Sequence, residues 1–303
     1  MQSLNHLQDH CARIRALILK AGRQGGPSHY GGSLSCVEIL TLLYGALLHC
    51  SPALCRAQSP ERDRFLLSKG HAALALYATL CEFGYLSLHE LLSFDADGSA
   101  LPAHCLRDVA RGLELSSGSL GMGLSFGCGT ALSLKKRALP GRVYVLCGDG
   151  ELGEGELWEG ARFAAAGGLD NLTLLVDCNT LQLDGPCPVN SAAAALQAQF
   201  AAIGWESLCC DGHNLAQLYE ALSPSVPSAQ SSAKAVPGHP RCVICRTVKG
   251  KGVSFMEHEV AWHHQGLDEE RYTKALAELG VDLAELDDSL GAAAAGQESC
   301  HGA

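Results

Sequence analysis

A parallel β-sheet covered by helices on both faces is the fold class this sequence predicts, and three observations carry it. Short runs rich in β-branched and apolar residues recur along the chain. Helical stretches separate them, and the runs are apolar throughout rather than at every second residue, as strands buried on both faces must be. With 47% hydrophobic residues in 303, there is enough apolar material for one large α/β domain, expected over residues 1–285.

The elements follow in order. Leu4, Leu7, Cys11, Ile14, Leu17 and Ile18 predict an amphipathic helix from Leu4 to Lys20, ended by the Gly22–Gly26 region. Pro27 to Gly32 reads as a turn, and a second helix is expected from about Ser35 to Leu48, with Ser33 or Ser35 as N-cap. Strands are predicted at Phe65–Leu67, Val143–Cys147, Leu172–Val176 and, within Arg241–Val248, at Val243–Thr247. Ser223 to Pro240 is rich in Pro, Ser and Ala and reads as an exposed loop; residues 286–303 read as a low-complexity tail, frayed after about Asp288.

Net charge is −10 and the Lys and Arg residues are scattered, so neither nucleic acid nor an anionic membrane is an expected partner. No apolar run is long enough to span a bilayer, and Met1 to His10 lack a signal-peptide pattern, which predicts a cytoplasmic protein acting on small molecules. The 15 cysteines are odd in number and irregularly spaced, as buried reduced thiols are. Cys242-Val-Ile-Cys245 has metal-like spacing, but on a strand the two side chains point to opposite faces, so no zinc or redox site is expected there.

The chemistry concentrates after the Val143–Cys147 strand, in Gly148-Asp149-Gly150-Glu151-Leu152-Gly153-Glu154-Gly155. A glycine-rich turn at the C-terminal end of a parallel strand is a phosphate site, because bare backbone lets amides approach an anion. The pattern also fits a dinucleotide fingerprint. Carboxylates decide against it: Asp149, Glu151 and Glu154 would repel a pyrophosphate unless a divalent cation lay between. Asp149 supplies one oxygen for Mg²⁺, and Asn179, 30 positions later at the end of the next strand, supplies a second from the same sheet edge.

Gly148-Asp149-Gly150 followed by Asn179 resembles the thiamine-diphosphate motif, and Gly150 to Gly155 with Trp158-Glu159, then Leu169 to Thr173 and Asn179 to Gly185, resemble transketolases in particular. The resemblance covers about residues 10–280. It implies a thiamine-diphosphate-binding fold, with Mg²⁺ or Ca²⁺ held by Asp149, Asn179 and the carbonyl of Leu181. Gly148, Gly150, His71, Lys249 and His263 would lie at the cofactor. Gly118-Ser-Leu120-Gly121 is similar to the loop that packs on the thiamine rings, with Leu120 and Leu183 as apolar wall, and Glu154 would link two sites across a dimer. Among 13 histidines, His29, His104 and His263 sit in contexts that imply contact with the donor sugar.

The sequence departs from the family at Tyr30 and Cys105, where Pro is usual, and at His264 and Gln265, where Gly and Lys are usual. These loops are expected to face substrate, so the identity of donor and acceptor stays open. The glutamate that activates the pyrimidine and the aromatic cradle for the ring lie in a following domain of such enzymes, and no such unit fits after Val281. The resemblance therefore implies one half of a split enzyme, paired with a C-terminal, pyrimidine-binding subunit in an α₂β₂ assembly. It would transfer a two-carbon ketol unit from a ketose to an aldose, on sugar or sugar-phosphate substrates. Acyl transfer from a 2-oxoacid, a non-catalytic scaffold and a nicotinamide dehydrogenase are the alternatives.

Overall fold

The computed structural model describes residues 4–223, 238–288 and 290. Helix α1 (Asn5–Gln24) buries Leu7, Cys11, Ile14, Leu17 and Ile18 completely, the single stripe that their spacing predicts. It runs past Lys20 and ends at Gly25. The next stretch differs from expectation. Part of the expected turn is a short helix, α2 (Tyr30–Leu34), and the expected helix 35–48 is broken into α3 (Val37–Leu42) and a π-helical turn at Leu43–Leu47. Neither Ser33 nor Ser35 caps it: Cys36 holds the N-cap position, and Ser35 Oγ lies instead on Gly32 O (3.1 Å) and Asp177 Oδ2 (2.5 Å). A buried carboxylate competes for that hydroxyl more strongly than a helix end does.

Then come α4 (Pro52–Arg56), β1 (Arg64–Leu67), α5 (Ala73–Glu82), α6 (Leu88–Leu92), α7 (Met122–Lys136), β2 (Val143–Gly148), α8 (Gly155–Ala166) and β3 (Leu172–Cys178). A small hairpin of β4 (Leu181–Gln182) and β5 (Gly185–Pro186) leads to α9 (Ala193–Ala202), β6 (Glu206–Asp211), α10 (Leu215–Leu222), β7 (Arg241–Arg246) and α11 (Glu269–Leu279). The main sheet is parallel, in the order β1-β2-β3-β7-β6.

Alternate strand residues feed two cores. Tyr144, Leu146, Leu175, Val243 and Cys245 pack in the core shared with α1, α3, α5 and α10, while Val143, Val145, Leu174, Val176, Cys242 and Ile244 pack beneath α7, α8 and α9. Cys242 and Cys245 thus lie on opposite faces. Gly123 brings α7 onto the sheet, since a Cβ there would fall 2.3 Å from Ser68 Oγ.

Strand β6, which the apolar pattern did not reveal, is an edge strand. Glu206, Ser207, Leu208 and Cys209 are only half-buried, so it lacks the continuous apolar run of its neighbours. Most of the predicted loop 223–240 and of the predicted tail lies outside the described residues; within the latter, Leu286 and Leu290 are buried in the core beside α1.

Candidate active site

Four segments leave the C-terminal edge of the sheet side by side: Ser68–His71 after β1, Asp149–Gly153 after β2, Asn179–Leu181 after β3 and Thr247–Lys249 after β7. Gly148 is in register with Asp177, so Asp149 and Asn179 emerge at the same level. Asp149 is buried, and Oδ1 and Oδ2 accept hydrogen bonds from the backbone N–H of Gly150 (2.9 Å) and Thr180 (2.5 Å). Thr180 adopts a positive φ of 67°, which a β-branched residue resists. That conformation turns the chain sharply between Asn179 and Leu181.

Burial, and then the charge of Asp177, push the Asp149 carboxyl up to about 6. A carboxylate so placed favours a cation beside it. The Asn179 amide donates from Nδ2 to Asp177 Oδ2 (3.1 Å), which fixes its orientation and leaves Oδ1, accepting from Leu181 N–H at 3.2 Å, as the oxygen end. Carboxylate, amide oxygen and the Leu181 carbonyl together are the hard oxygen donors that Mg²⁺ or Ca²⁺ takes. Each side-chain oxygen keeps a lone pair beyond its present hydrogen bond.

Beneath this turn lies a network that the sequence did not reveal. Asp177 is fully buried and receives Lys69 Nζ, Ser35 Oγ, Thr247 Oγ1 and Asn179 Nδ2, while Lys69 Nζ also donates to Gly32 O (2.8 Å). Burial opposes the charge on Asp177, but Lys69 and the hydroxyl donors outweigh it and hold the carboxyl below its usual range. The available signal was a charged residue on each of two otherwise apolar strand ends, which burial obliges to pair.

Glu151 does not crowd the phosphate turn as expected. Its side chain turns inward and accepts from Ser68 Oγ (2.5 Å), Gly121 N–H (2.8 Å) and Gly148 N–H (3.2 Å), tying the 118–121 loop to the turn.

Above the turn stand five imidazoles. His29 is the hub, with ring centres at 5.6 Å from His71, 5.9 Å from His104, 5.6 Å from His263 and 4.6 Å from His264. His71 and His263 stack at 5.2 Å. Burial, followed by the neighbouring imidazoles and Lys249, pushes His29 down to about 3. Burial and Lys249 take His263 to about 4, and burial and Lys69 hold His71 well below its ordinary value. All three rings are therefore neutral at pH 7.

Lys249 is buried with its Nζ 3.2 Å from His263 Nδ1, and burial, then Lys69, lower it to about 8. Its loop is held from behind: Val248 N–H donates to His213 Nε2 (2.8 Å), and His213 Nδ1 then donates to Glu38 Oε2 (2.9 Å), which also pairs with Arg15. Gly31 makes room for this loop, since a Cβ there would lie 2.8 Å from Trp262 O and 2.9 Å from Lys249 Cγ.

Glu154 is exposed at the start of α8, against Gly121. Gly118 is also exposed and lies beside His104. Leu120 and Leu183 are 37% and 62% exposed, apolar surface open at the cleft. Two of the four departures do not face the cleft, contrary to expectation. Tyr30 is 0% exposed and packs edge-on to Trp262, and Cys105 is buried beside Tyr77 and Ser117. Only His264 and Gln265 are exposed.

Residues 7–287 match the family model described as transketolase, thiamine diphosphate binding domain. The chain is 38% identical over 273 residues to a 6-deoxy-6-sulfo-D-fructose transketolase subunit of Clostridium sp. (strain MSTE9), covering 90% of this chain and 96% of that one. It is 38% identical over 267 residues to an apulose-4-phosphate transketolase subunit of Actinobacillus succinogenes, covering 88% and 92%. Human transketolase is 34% identical over 92% of this chain, but the chain spans only 42% of it. Among solved structures, transketolase from Campylobacter jejuni superposes with a TM-score of 0.79 at 29% identity, over 91% of this chain and 43% of that one. With its sheet edge, its acidic turn and nearly its whole length matched in this way, the chain belongs to the transketolase family as a thiamine-diphosphate-binding domain.

Proposed function

We propose that this chain is the diphosphate-binding subunit of a split transketolase, which with a pyrimidine-binding partner transfers a two-carbon ketol unit from a ketose to an aldose. One observation supports the reading: the side-chain oxygens of Asp149 and Asn179 and a cluster of imidazoles meet at a single sheet edge, a set that suits a divalent cation and a polyol. The relatives named as subunits are matched over 96% and 92% of their own length and are named for 6-deoxy-6-sulfo-D-fructose and apulose 4-phosphate. A ketose other than an ordinary pentose phosphate fits that company.

In this reading Asp149, Asn179 and the Leu181 carbonyl would hold Mg²⁺ or Ca²⁺ for the diphosphate, and Lys249 and His71 would also bind that anion. Thiamine diphosphate, when bound, supplies the carbon nucleophile and the electron sink. The protein's part is to orient the donor and move protons. His29, His104 and His263 accept and return hydroxyl protons of the ketose. Leu120 and Leu183 exclude water from the rings. Glu154, exposed at the start of α8, faces the two-fold axis of an α₂β₂ assembly.

The test has two arms. Calorimetry of thiamine diphosphate binding to the assembled protein, with and without EDTA, should show metal-dependent binding that Asp149→Ala abolishes; undiminished binding by that variant removes this site. Ketol transfer should appear only when the chain is mixed with its partner. Robust turnover by the chain alone, with no second polypeptide detected by mass spectrometry, overturns the split-enzyme reading.

A further inference from the structure

The site is graded in depth. Lys249 is buried at the floor, the imidazoles of His29, His71, His104 and His263 are half-buried, and the fifth, His264, is exposed at the mouth. The backbone fixes the position of His264. Ser28 N–H donates to Gln265 O (3.0 Å) and Gln265 N–H to Ser28 O (3.1 Å), an antiparallel bridge. The next pair outward from that bridge is His29 with His264, so the two rings are cross-strand neighbours on one side of it, 4.6 Å apart and tilted by 50°. His264 makes no hydrogen bond among the described residues, whereas His213, behind the Lys249 loop, is held by Glu38 and Val248.

We propose that His264 reads the leaving fragment of the donor, hydrogen-bonding a hydroxyl of the aldose released from C3 outward. The inference rests on the ketol-transfer reading of the site. In that reaction the C2–C3 bond of the ketose breaks, the C3 hydroxyl gives up its proton to become the aldehyde of the leaving aldose, and the electron pair stays with the two-carbon fragment. That fragment then bonds to the acceptor aldehyde, whose oxygen takes up a proton. Since the diphosphate is anchored at the floor, the transferred carbons lie deep. The rest of the ketose must run outward past His29 to the mouth, where His264 stands.

A donor without a leaving aldose isolates this contact. Hydroxypyruvate delivers the same two-carbon unit and releases carbon dioxide instead. In the assembly with the partner subunit, His264→Ala should lower the ratio of kcat/KM for a ketose to that for hydroxypyruvate about tenfold, the effect of one lost hydrogen bond. Calorimetry of thiamine diphosphate on the same variant reports whether the fold is intact. An unchanged ratio, whether both donors suffer equally or neither does, overturns the assignment. If the unmutated assembly accepts hydroxypyruvate and no ketose, the assignment falls while the cofactor site stands; if it accepts neither donor, the proposed function falls with it.

Discussion

At the floor of the cleft, Asp177 is fully buried and receives four side-chain donors from the turns that follow α2, β1, β3 and β7, whereas at the mouth His29 and His264 touch chiefly other imidazoles. The floor is a saturated network. The mouth is a set of polar edges left open. Saturation suits a group that must hold one geometry for a metal and a diphosphate, because each donor removes a way for Asn179 to rotate. Open edges suit groups that exchange protons with a mobile polyol, and burial among like groups lowers the pKa of His29 and His263.

Breaking the mouth should affect rate far more than stability. His29→Ala in the assembled enzyme should lower turnover by about 10²–10⁴-fold, the range for a positioned proton-transfer group, with the melting transition nearly unchanged. Steady-state kinetics beside thermal unfolding settles it, and near-normal turnover would show that the hub imidazole does not touch the reacting sugar.

Breaking the floor should do the reverse. Lys69→Met leaves Asp177 buried without its cation and should destabilise the chain by about 3–5 kcal/mol in denaturant unfolding. Pairing it with Asp177→Leu should restore most of that stability while leaving cofactor binding weak, because Asn179 has then lost the partner that orients it. Full recovery of binding in the double variant would mean that the network supports the fold and nothing more.

The smallest effect sharpens the boundary between the two regions, where Lys249 meets His263. Its folded value near 8 lies below the usual lysine value, so above pH 8 the free site holds a neutral amine that must take up a proton to meet the diphosphate. Cofactor dissociation constants should therefore rise with pH above 8, by at most about tenfold per unit, and Lys249→Met should flatten the slope. A slope that persists in that variant would assign the proton to another group.

The sequence by itself determined the sheet class and four of the five main strands. Strands buried on both faces must be apolar throughout, and a phosphate turn must be glycine-rich, so both leave local marks. Asp149 and Asn179 were legible because each follows a strand directly, and parallel neighbours in register deliver their ends to one edge. What only the tertiary structure decided depends on which strand lies beside which. Glu151 looked like a third acid at the phosphate, but three inward donors from Ser68, Gly121 and Gly148 claim it.

Lys69, Ser35 and Thr247 come from 108, 142 and 70 positions away from Asp177, too far for any local pattern to relate them. Tyr30 and Cys105 seemed as near the substrate as His264, yet burial turns the first two into packing residues and the bridge between Ser28 and Gln265 holds the third in the open. Periodicity and composition fix what a segment needs from its surroundings. Which distant side chain meets that need is set by the sheet order and by which face of each strand end is covered.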